Sequence, residues 1–475
     1  MRPSLVVIVA TLCAACATNP VTGKRELSLL SEADELALGR QADAEIRREM
    51  GVYDDTEVQR YVSDIGMRLA RVSHRPNLPW TFTVVDNSAI NAFAVPGGYV
   101  YITRGILPYL ADESELAGVL GHEIGHVTAR HAAQQYTRQA GGGLGLAILS
   151  IFVPQTAPFA DLSSMGLGFL FLKYGRDDEL QSDRLGMEYA AEAGWDPGAV
   201  PRFLTTLARV DEMSERGVPN WLSTHPEPAS RVGDAEAVVA TFVSDTARRR
   251  NADEFLRTID GVVVGDSLEQ GIVRDNVFLH PMMRIGLEFP EGWDVFNSPE
   301  QVTAREPGQP HYMLLQQVDQ PRGTGLEDVA QNAMRSAGFT RVDGAPERLG
   351  GADAYVGLPR FDSRHGPSAD AGCARVDRPP GLRRRGIRAG SRVRAREPVH
   401  PGLARTFREL SASEAAQVRP NRLTYYTVRA GDSWQSIAQR AGQGITSAAT
   451  LAIMNGYEVS TQPQEGERIK IVVEG

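Results

Sequence analysis

Hydrophobic and polar residues in the first half of the chain follow the periods of helices and short strands. Helical periodicity is predicted in five segments, at residues 31–50, 57–71, 112–135, 177–193 and 200–213. Strand-like alternation is predicted in two segments, residues 80–86 and 94–103, the second being interrupted by Pro96, Gly97 and Gly98. The pattern therefore predicts an α+β fold, in which a mainly helical domain carries a small sheet.

The second half of the chain differs in composition and in hydrophobic periodicity. Short strand-like pieces and one helix near residues 326–337 predict a small α+β domain over residues 276–360, to which the sequence assigns no chemistry. Residues 361–420 then carry many arginines among Gly and Pro, with almost no periodicity. Two interpretations stay open for this segment, a basic linker that contacts anionic envelope polymers and a frame-shifted stretch.

The N-terminus has the features of an export signal. Met1-Arg2 is followed by an apolar run and by small residues before Cys16, and this order resembles a bacterial lipoprotein signal over residues 1–16. The resemblance implies acylation of Cys16, and Ala17 favours sorting to the outer membrane. A plain secretory signal is the alternative. Either interpretation predicts a location in the bacterial periplasm.

Composition limits the function classes further. Hydrophobic residues make up 42% and charged residues 23% of 475 residues, and the net charge of −9 gives no reason to expect a nucleic-acid partner. Cys373 is the one cysteine beyond the leader, so the chain has no disulfide framework. The apolar segments 143–153 and 162–172 are about half the roughly 20 residues that a membrane-spanning helix needs.

The strongest chemical signal is the HExxH motif of residues 122–126. Residues four apart share one face of a helix, so His122 and His126 can reach one Zn²⁺, and Glu123 lies where a general base would be needed. Three protein ligands leave one position for water, whose pKa zinc lowers. Gly118, Gly121 and Gly125 in the same segment predict a helix that packs closely against its neighbours. We expect one zinc ion per chain.

The third ligand needs a separate argument. A third histidine at the spacing of the longer HExxHxxGxxH motif is excluded, because Ala132 occupies that position and His131 is one residue short. Glu179 is the better candidate, since Asp183, one turn later, can accept a hydrogen bond from a ligating histidine. Asp177 and Asp178 are competing ligands.

Four motifs in order carry a resemblance to a known family. They are residues 91–99, the HExxH segment, residues 176–183 and residues 223–231. Together they resemble the zinc metallopeptidases that include the CAAX prenyl endopeptidase, HtpX and BepA, with residues 19–24 similar to its soluble lipoprotein branch. The resemblance covers residues 17–245, implies a gluzincin-type fold and implies that Glu179 is the third ligand, with Asp183 supporting the site.

The same resemblance suggests further site residues. It implies that His225 approaches the zinc, either to stabilise an oxyanion or to occupy the open position in a latent state; the alternative is a histidine that anchors a turn. Arg231 is expected to orient His225 or the substrate. An extended substrate is expected to add to an edge strand by main-chain hydrogen bonds, and the residues expected there are Asn91, Ala92, Phe93, Gly97 and Gly98.

The C-terminal residues 424–473 resemble a LysM module. The predicted order is strand, helix, helix and strand, with the second helix ending at Asn455-Gly456. The resemblance implies binding of N-acetylglucosamine polymers and hence contact with peptidoglycan, through loops near residues 431–434 and 454–457. A packing module without sugar binding is the alternative.

These observations together predict a zinc endopeptidase of the bacterial cell envelope that acts on protein or peptide substrates, in particular misfolded or unassembled envelope proteins. A lipid anchor at Cys16 would attach it to the outer membrane. Two other hypotheses are a peptidoglycan hydrolase and a non-enzymatic wall-binding protein or chaperone.

Overall fold

The structure is a computed structural model that describes residues 16–139, 173–213, 224–242, 248–298, 301–308, 312–319, 323–336, 341–349, 352–360, 373–376, 385–392, 406–440 and 444–475. The predicted leader up to residue 15 and the apolar segments 143–153 and 162–172 lie outside these residues. Of the helices in the described part, none is both long enough and apolar enough to cross a membrane.

The helices of the described residues are α1 (Glu32–Glu49), α2 (Thr56–Val72), α3 (Glu113–Thr128), α4 (His131–Gln139), α5 (Arg176–Glu192), α6 (Ala199–Met213), α7 (Pro228–Val239), α8 (Ala252–Thr258), α9 (Leu326–Ser336), α10 (Ala412–Gln417), α11 (Trp434–Arg440) and α12 (Ala448–Met454), with a 3₁₀ helix at Arg104–Tyr109. The strands are β1 (Cys16–Thr18), β2 (Arg25–Leu27), β3 (Thr81–Val85), β4 (Ala92–Val95), β5 (Tyr99–Thr103), β6 (Val263–Val264), β7 (Ile272–Arg274), β8 (Val277–His280), β9 (Ile285–Glu288), β10 (Asp294–Asn297), β11 (Gln301–Arg305), β12 (Tyr312–Asp319), β13 (Arg341–Leu349), β14 (Ala352–Arg360), β15 (Cys373–Val376), β16 (Arg385–Arg392), β17 (Arg408–Glu409), β18 (Asn421–Thr427) and β19 (Arg468–Glu474). They form two compact units, Met1–Val264 with Arg422–Glu474 and Gly265–Asn421 with Gly475.

The prediction of mixed helices and small sheets is confirmed. Ser31 caps α1 in a capping box with Asp34, as local chemistry predicts for a serine before an acidic first turn. The single helix predicted over residues 112–135 is wrong. The chain forms α3 and α4 instead, because Arg130 between them adopts the left-handed conformation with φ of 60°.

A three-stranded sheet lies beside α3. Its order is β3-β5-β4, with β3 parallel and β4 antiparallel to β5, so β4 is an edge strand. Gly97 and Gly98, with φ of 89° and 96°, make the turn between β4 and β5. The sheet, α2 and α3 enclose a continuous core that includes Phe82, Ile102 and Leu120.

Helices α3 and α5 approach so closely that their backbones touch. An added Cβ at Gly121 would lie 2.9 Å from the carbonyl oxygen of Gly186, and one at Gly186 would lie 2.8 Å from the backbone nitrogen of His122. An added Cβ at Gly125 would lie 3.1 Å from Cα of Ser182. The glycines therefore let the helix that carries the HExxH motif lie directly against the helix that carries Glu179.

The C-terminal segment belongs to the same compact unit as the N-terminal helices. Strands β18 and β19 form a sheet with β6, in the order β19-β18-β6, and α11 and α12 lie between them in sequence. Leu423, Met454 and Val472 are part of the core that contains α3. The buried Lys470 donates a hydrogen bond of 2.7 Å from Nζ to the carbonyl oxygen of Leu110. The segment thus shares its core with the N-terminal half.

The second unit contains two antiparallel sheets. One has the order β17-β9-β8-β7 and the other β10-β11-β12-β16-β15-β14-β13. Strands β15 and β16 lie in the arginine-rich segment 361–420 and pair with each other from Cys373↔Gly390 to Val376↔Ile387. We assign the unit no chemistry.

The contact between α3 and α5 makes a test of packing possible. We expect Gly121→Ala to lower the free energy of unfolding of the metal-free protein by about 1–3 kcal/mol, because the new methyl group meets backbone that cannot move aside. Urea unfolding followed by circular dichroism in a chelator measures the change.

The matched control for this substitution is Gly233→Ala. Gly233 lies on α7, and an added Cβ there meets nothing within 4 Å. Alanine has the higher helix propensity, so this variant should be neutral or stabilised by up to about 1 kcal/mol. Equal stability of the Gly121 variant and the wild type would contradict the close packing of the two helices.

Candidate metal centre

The two histidines of the HExxH motif point to one place. They lie one turn apart on α3, which Asp112 caps by accepting a hydrogen bond of 3.0 Å from the backbone of Glu115. His122 and His126 are 3% and 2% exposed, and their Nε2 atoms are 3.0 Å apart. Two imidazole nitrogens aimed at the same buried point are the donors that zinc prefers.

Glu179 on α5 reaches the same point. Its Oε1 lies 3.4 Å from Nε2 of His126, and its Oε2 lies 3.6 Å from Nε2 of His122. The side chain is fully buried. The structure therefore brings together the three residues that the sequence analysis named as ligands, across 53 positions of sequence between His126 and Glu179.

His225 adds a fourth donor. Its Nδ1 lies 3.3 Å from Nε2 of His122 and 3.0 Å from Oε1 of Glu179. One ligand atom from each of His122, His126, Glu179 and His225 can be chosen so that all four lie within 4.8 Å of one another. His225 is thus one of the four possible donors of this buried cluster.

The spacing of the donors fits zinc. A tetrahedral ion with bonds of about 2.0–2.2 Å separates its ligand atoms by about 3.3–3.6 Å. Five distances among the donor atoms, two to Oε1 and one to Oε2 of Glu179, range from 3.0 Å to 3.6 Å. A set of imidazoles with one carboxylate is also the usual donor chemistry of zinc enzymes. The residues present therefore fit a zinc ion.

Charged side chains around the cluster hold His122 and Glu179 in place. Asp183, one turn after Glu179, lies 2.9 Å from Nδ1 of His122, which leaves Nε2 of that ring facing the other donors. Arg231 of α7 donates to both oxygens of Asp183, at 2.8 Å and 2.6 Å, and also to Oε2 of Glu179. Its hydrogen bonds thus go to two carboxylates of the site, and the role predicted for it towards His225 or the substrate stays a prediction.

These ion pairs set the protonation of the carboxylates. Burial alone would raise the pKa of Glu179, but the charges and hydrogen bonds of His225, His126 and Arg231 outweigh it and hold the pKa well below its usual value. Burial likewise opposes the lowered pKa of Asp183, and Arg231 and His122 prevail. Burial lowers the pKa of His126 well below its usual range. The cluster therefore presents neutral imidazole at His126 and ionised carboxylates, the forms that bind a metal.

Glu123 lies beside the cluster and outside it. Its Oε1 is buried, has no hydrogen-bond partner among the described residues and lies 3.6 Å from Nε2 of His225. Burial raises its pKa, against the opposing effect of His225 and His122. A carboxylate with a raised pKa and a free acceptor oxygen is suited to take up a proton.

The competing ligands Asp177 and Asp178 stay outside the cluster. Asp177 is exposed, and Asp178 pairs with Arg138 at 3.1 Å. Two neighbours of His126 were missed by the sequence analysis as site residues. The ring of Tyr174 stacks on His126 with centroids 4.0 Å apart, and Nδ1 of His131 lies 2.9 Å from Nδ1 of His126.

The predicted substrate strand is β4 together with its flanks. Asn91 pairs with Thr103 of β5, since its carbonyl accepts from the Thr103 nitrogen at 3.0 Å. In an antiparallel pair the main-chain groups alternate, so those of Phe93 also face β5 and those of Ala92 face away from it. All four residues of β4 are buried. Gly97 and Gly98 are buried in the turn, where an added Cβ at Gly97 would meet α1.

A small cavity lies between β4 and the metal cluster. Its lining includes Ala94 and Val95 of β4, His126 of α3, and Tyr174.

Comparison with known proteins supports this assignment. Residues 56–239 match the model of "Peptidase family M48". The "Beta-barrel assembly-enhancing protease" of Escherichia coli (strain K12) is 33% identical over 226 residues, which are 46% of this chain and 46% of that protein. The "Mitochondrial metalloendopeptidase OMA1" of Arabidopsis thaliana is 29% identical over 209 residues, 44% of this chain and 41% of that protein.

The similarity to known proteins covers only part of the chain. The chain spans less than half the length of these two relatives. A solved structure from Bacteroides thetaiotaomicron VPI-5482 covers 42% of this chain with a TM-score of 0.23 and 10% identity, a score too low to support a shared fold. The family match, however, includes both histidines of the HExxH motif, Glu179, His225 and Arg231. Residues 56–239 of this chain therefore match peptidase family M48, and this match supports a zinc metallopeptidase.

Proposed function

We propose that this protein is a zinc-dependent endopeptidase of the bacterial cell envelope. His122, His126 and Glu179 hold the metal, and Glu123 is the general base. The observation that carries the proposal is the convergence of two imidazoles and one carboxylate, from helices distant in sequence, within 3.6 Å of one another. Similarity to metalloendopeptidases supports it independently.

In the proposed reaction the zinc ion and the protein side chains have different roles. Bound zinc supplies a Lewis acid that lowers the pKa of a water ligand to about 7 and polarises the scissile carbonyl. Glu123 accepts the proton of the attacking water and passes it to the leaving amine. Asp183 fixes the ring of His122 through Nδ1, and Arg231 keeps the carboxylates of Asp183 and Glu179 ionised and in place.

We propose further that the substrate binds as an added strand along β4. The main-chain groups of Ala92 face away from β5, and a small cavity beside Tyr174 lies between β4 and His126. Main-chain pairing of this kind requires an extended and locally unfolded substrate. Misfolded or unassembled envelope proteins meet that requirement, and the name of the Escherichia coli relative points to β-barrel proteins of the envelope.

The proposed location and wall contact depend on other parts of the chain. Acylation of Cys16 would attach the protein to the outer membrane. Residues 424–473 would bind peptidoglycan as a LysM-like module, which is supported by their motif and by the order β18, α11, α12, β19. Because this segment shares a core with the peptidase domain, wall binding would hold the peptidase close to the wall.

The general-base assignment is tested by Glu123→Gln. We expect cleavage of unfolded casein to fall by about 10²–10⁴-fold, because the amide cannot accept a proton, while zinc content stays at one ion per chain. The matched control is Glu179→Ala, which should lose the zinc as well as the activity. Metal analysis and initial cleavage rates on both variants measure this. Unchanged cleavage by the Glu123 variant would exclude the mechanism.

His225 is tested by its replacement with alanine. Because Nδ1 of His225 lies 3.0 Å from Glu179 and 3.3 Å from His122, it occupies the place that water and substrate need. If about nine tenths of the molecules hold this closed arrangement, the substitution should raise the initial cleavage rate by up to about tenfold, with zinc content retained. A strongly reduced rate with full zinc content would instead assign His225 to oxyanion stabilisation.

The wall contact is tested by co-sedimentation with purified sacculi. We expect the intact protein to sediment with sacculi and to be released by soluble N-acetylglucosamine oligomers, while cello-oligosaccharides of equal length leave it bound. Failure of the specific sugar to compete would remove the proposed wall contact. Release of soluble muropeptides from the same sacculi, lost in Glu123→Gln, would identify a peptidoglycan hydrolase in place of the protein-degrading enzyme.

A further inference from the structure

His131 is a buried histidine next to the metal cluster that the proposed mechanism does not use. It is the first residue of α4, and its side chain is fully enclosed. Its Nδ1 lies 2.9 Å from Nδ1 of His126, and its Nε2 lies 2.9 Å from Oε1 of Gln181 on α5. Both ring nitrogens of His131 are therefore within hydrogen-bonding distance of a defined partner.

The proton positions on His126 and His131 follow from the requirement that His126 binds a metal through Nε2. Nε2 of His126 faces Glu179 at 3.4 Å and must present a lone pair if it is to bind a metal. In a neutral imidazole the proton then resides on Nδ1, so Nδ1 of His126 donates and Nδ1 of His131 accepts. His131 must in turn carry its proton on Nε2, which donates to Oε1 of Gln181. Every donor in the chain thus meets an acceptor.

Other neighbours of His131 are compatible with this arrangement. Oδ1 of Asp178 lies 3.8 Å from its Nε2, on the side where the proton is assigned. Oγ of Ser182 lies 3.4 Å from its Nδ1, a longer contact than that of His126. The ring of Tyr174 covers His126 on its face and leaves the ring edge to His131.

A local break in the backbone puts His131 in this position. On a continuous helix a residue five positions after His126 would point about 140° away from it. The left-handed conformation of Arg130 interrupts the helix just before His131. The side chain of Arg130 is anchored by Glu35, at 2.6 Å, and by the carbonyl oxygen of Leu30, at 2.7 Å. Because a non-glycine residue with positive φ is uncommon, the fold evidently holds this break with specific contacts.

We propose that His131 is a positioning residue for the metal ligand His126. It fixes the tautomer and the ring orientation of His126 as a neutral acceptor, the role that the Asp183 carboxylate has for His122. The proposal rests on the proposed function only in taking His126 as a ligand. A neutral acceptor here adds no further negative charge to a buried site that already contains Glu123, Glu179 and Asp183.

Paired substitutions distinguish this role from simple packing. In His131→Asn the side-chain oxygen lies where Nδ1 was and can still accept from His126. His131→Leu fills similar space and cannot accept a hydrogen bond. We expect the Leu variant to bind zinc about 10–100-fold more weakly than the wild type, and the Asn variant to stay close to the wild type. Competition with a chromophoric chelator measures the zinc dissociation constant of the full chain.

The absorption spectrum of the cobalt-substituted protein gives a second readout. The visible bands report the ligand field, so we expect them to shift in the Leu variant and to return towards the wild-type spectrum in the Asn variant. Circular dichroism and urea unfolding of the metal-free variants serve as the folding control. Gln181→Met is a milder variant, which removes the acceptor of the His131 proton and should weaken zinc binding less than His131→Leu.

The possible outcomes are separable. Equal zinc affinity and equal cobalt spectra in the wild type and the Leu variant would overturn the proposal, as would an Asn variant as weak as the Leu variant. If His131→Leu does not fold, unchanged zinc affinity in Gln181→Met would overturn it. Absence of zinc binding in the wild type would instead contradict the proposed function, irrespective of His131.

Discussion

The site depends on the direct backbone contact between the helices Glu113–Thr128 and Arg176–Glu192. Gly121 and Gly186 meet without side chains between them, and Gly125 lies against Ser182 in the same way. Only at this separation can side chains as short as glutamate and aspartate on one helix reach the imidazoles of the other. Larger residues at these glycine positions would move Glu179 away from the histidines even though the ligands themselves were unchanged.

The sequence predicted those parts of the site that follow from local geometry. His122 and His126 were found because residues four apart share a helix face, whatever surrounds them. Glu179 is separated from His126 by a long stretch of chain, so spacing carries no information about their contact, and the family motif had to supply it. Alternation predicted one strand over residues 94–103 with an interruption at Pro96–Gly98, and the structure has two antiparallel strands there, β4 and β5.

The features that the sequence could not predict arise where local rules fail. Periodicity continued the first site helix to residue 135, but the structure ends it at Thr128 and reverses the backbone at Arg130. This break brings His131 against His126, a contact that helical spacing excludes. The guanidinium of Arg231 spans Glu179 and Asp183, because two buried carboxylates need a shared cation. Neither contact leaves a pattern in one sequence.

The charge of the buried site explains why its two histidines are supported differently. Glu123, Glu179 and Asp183 are buried together, and Arg231 is the cation that pairs with two of them. Glu179 and Asp183 are held ionised and share one guanidinium, which leaves a net negative charge in the buried site for a bound cation to balance. A carboxylate behind His126 as well as behind His122 would add to that charge in surroundings where an unpaired charge is costly. The imidazole of His131 accepts the Nδ1 proton of His126 without adding charge. The hydrogen bond to His131 and the ion pairs of Arg231 therefore both limit the negative charge of the buried site.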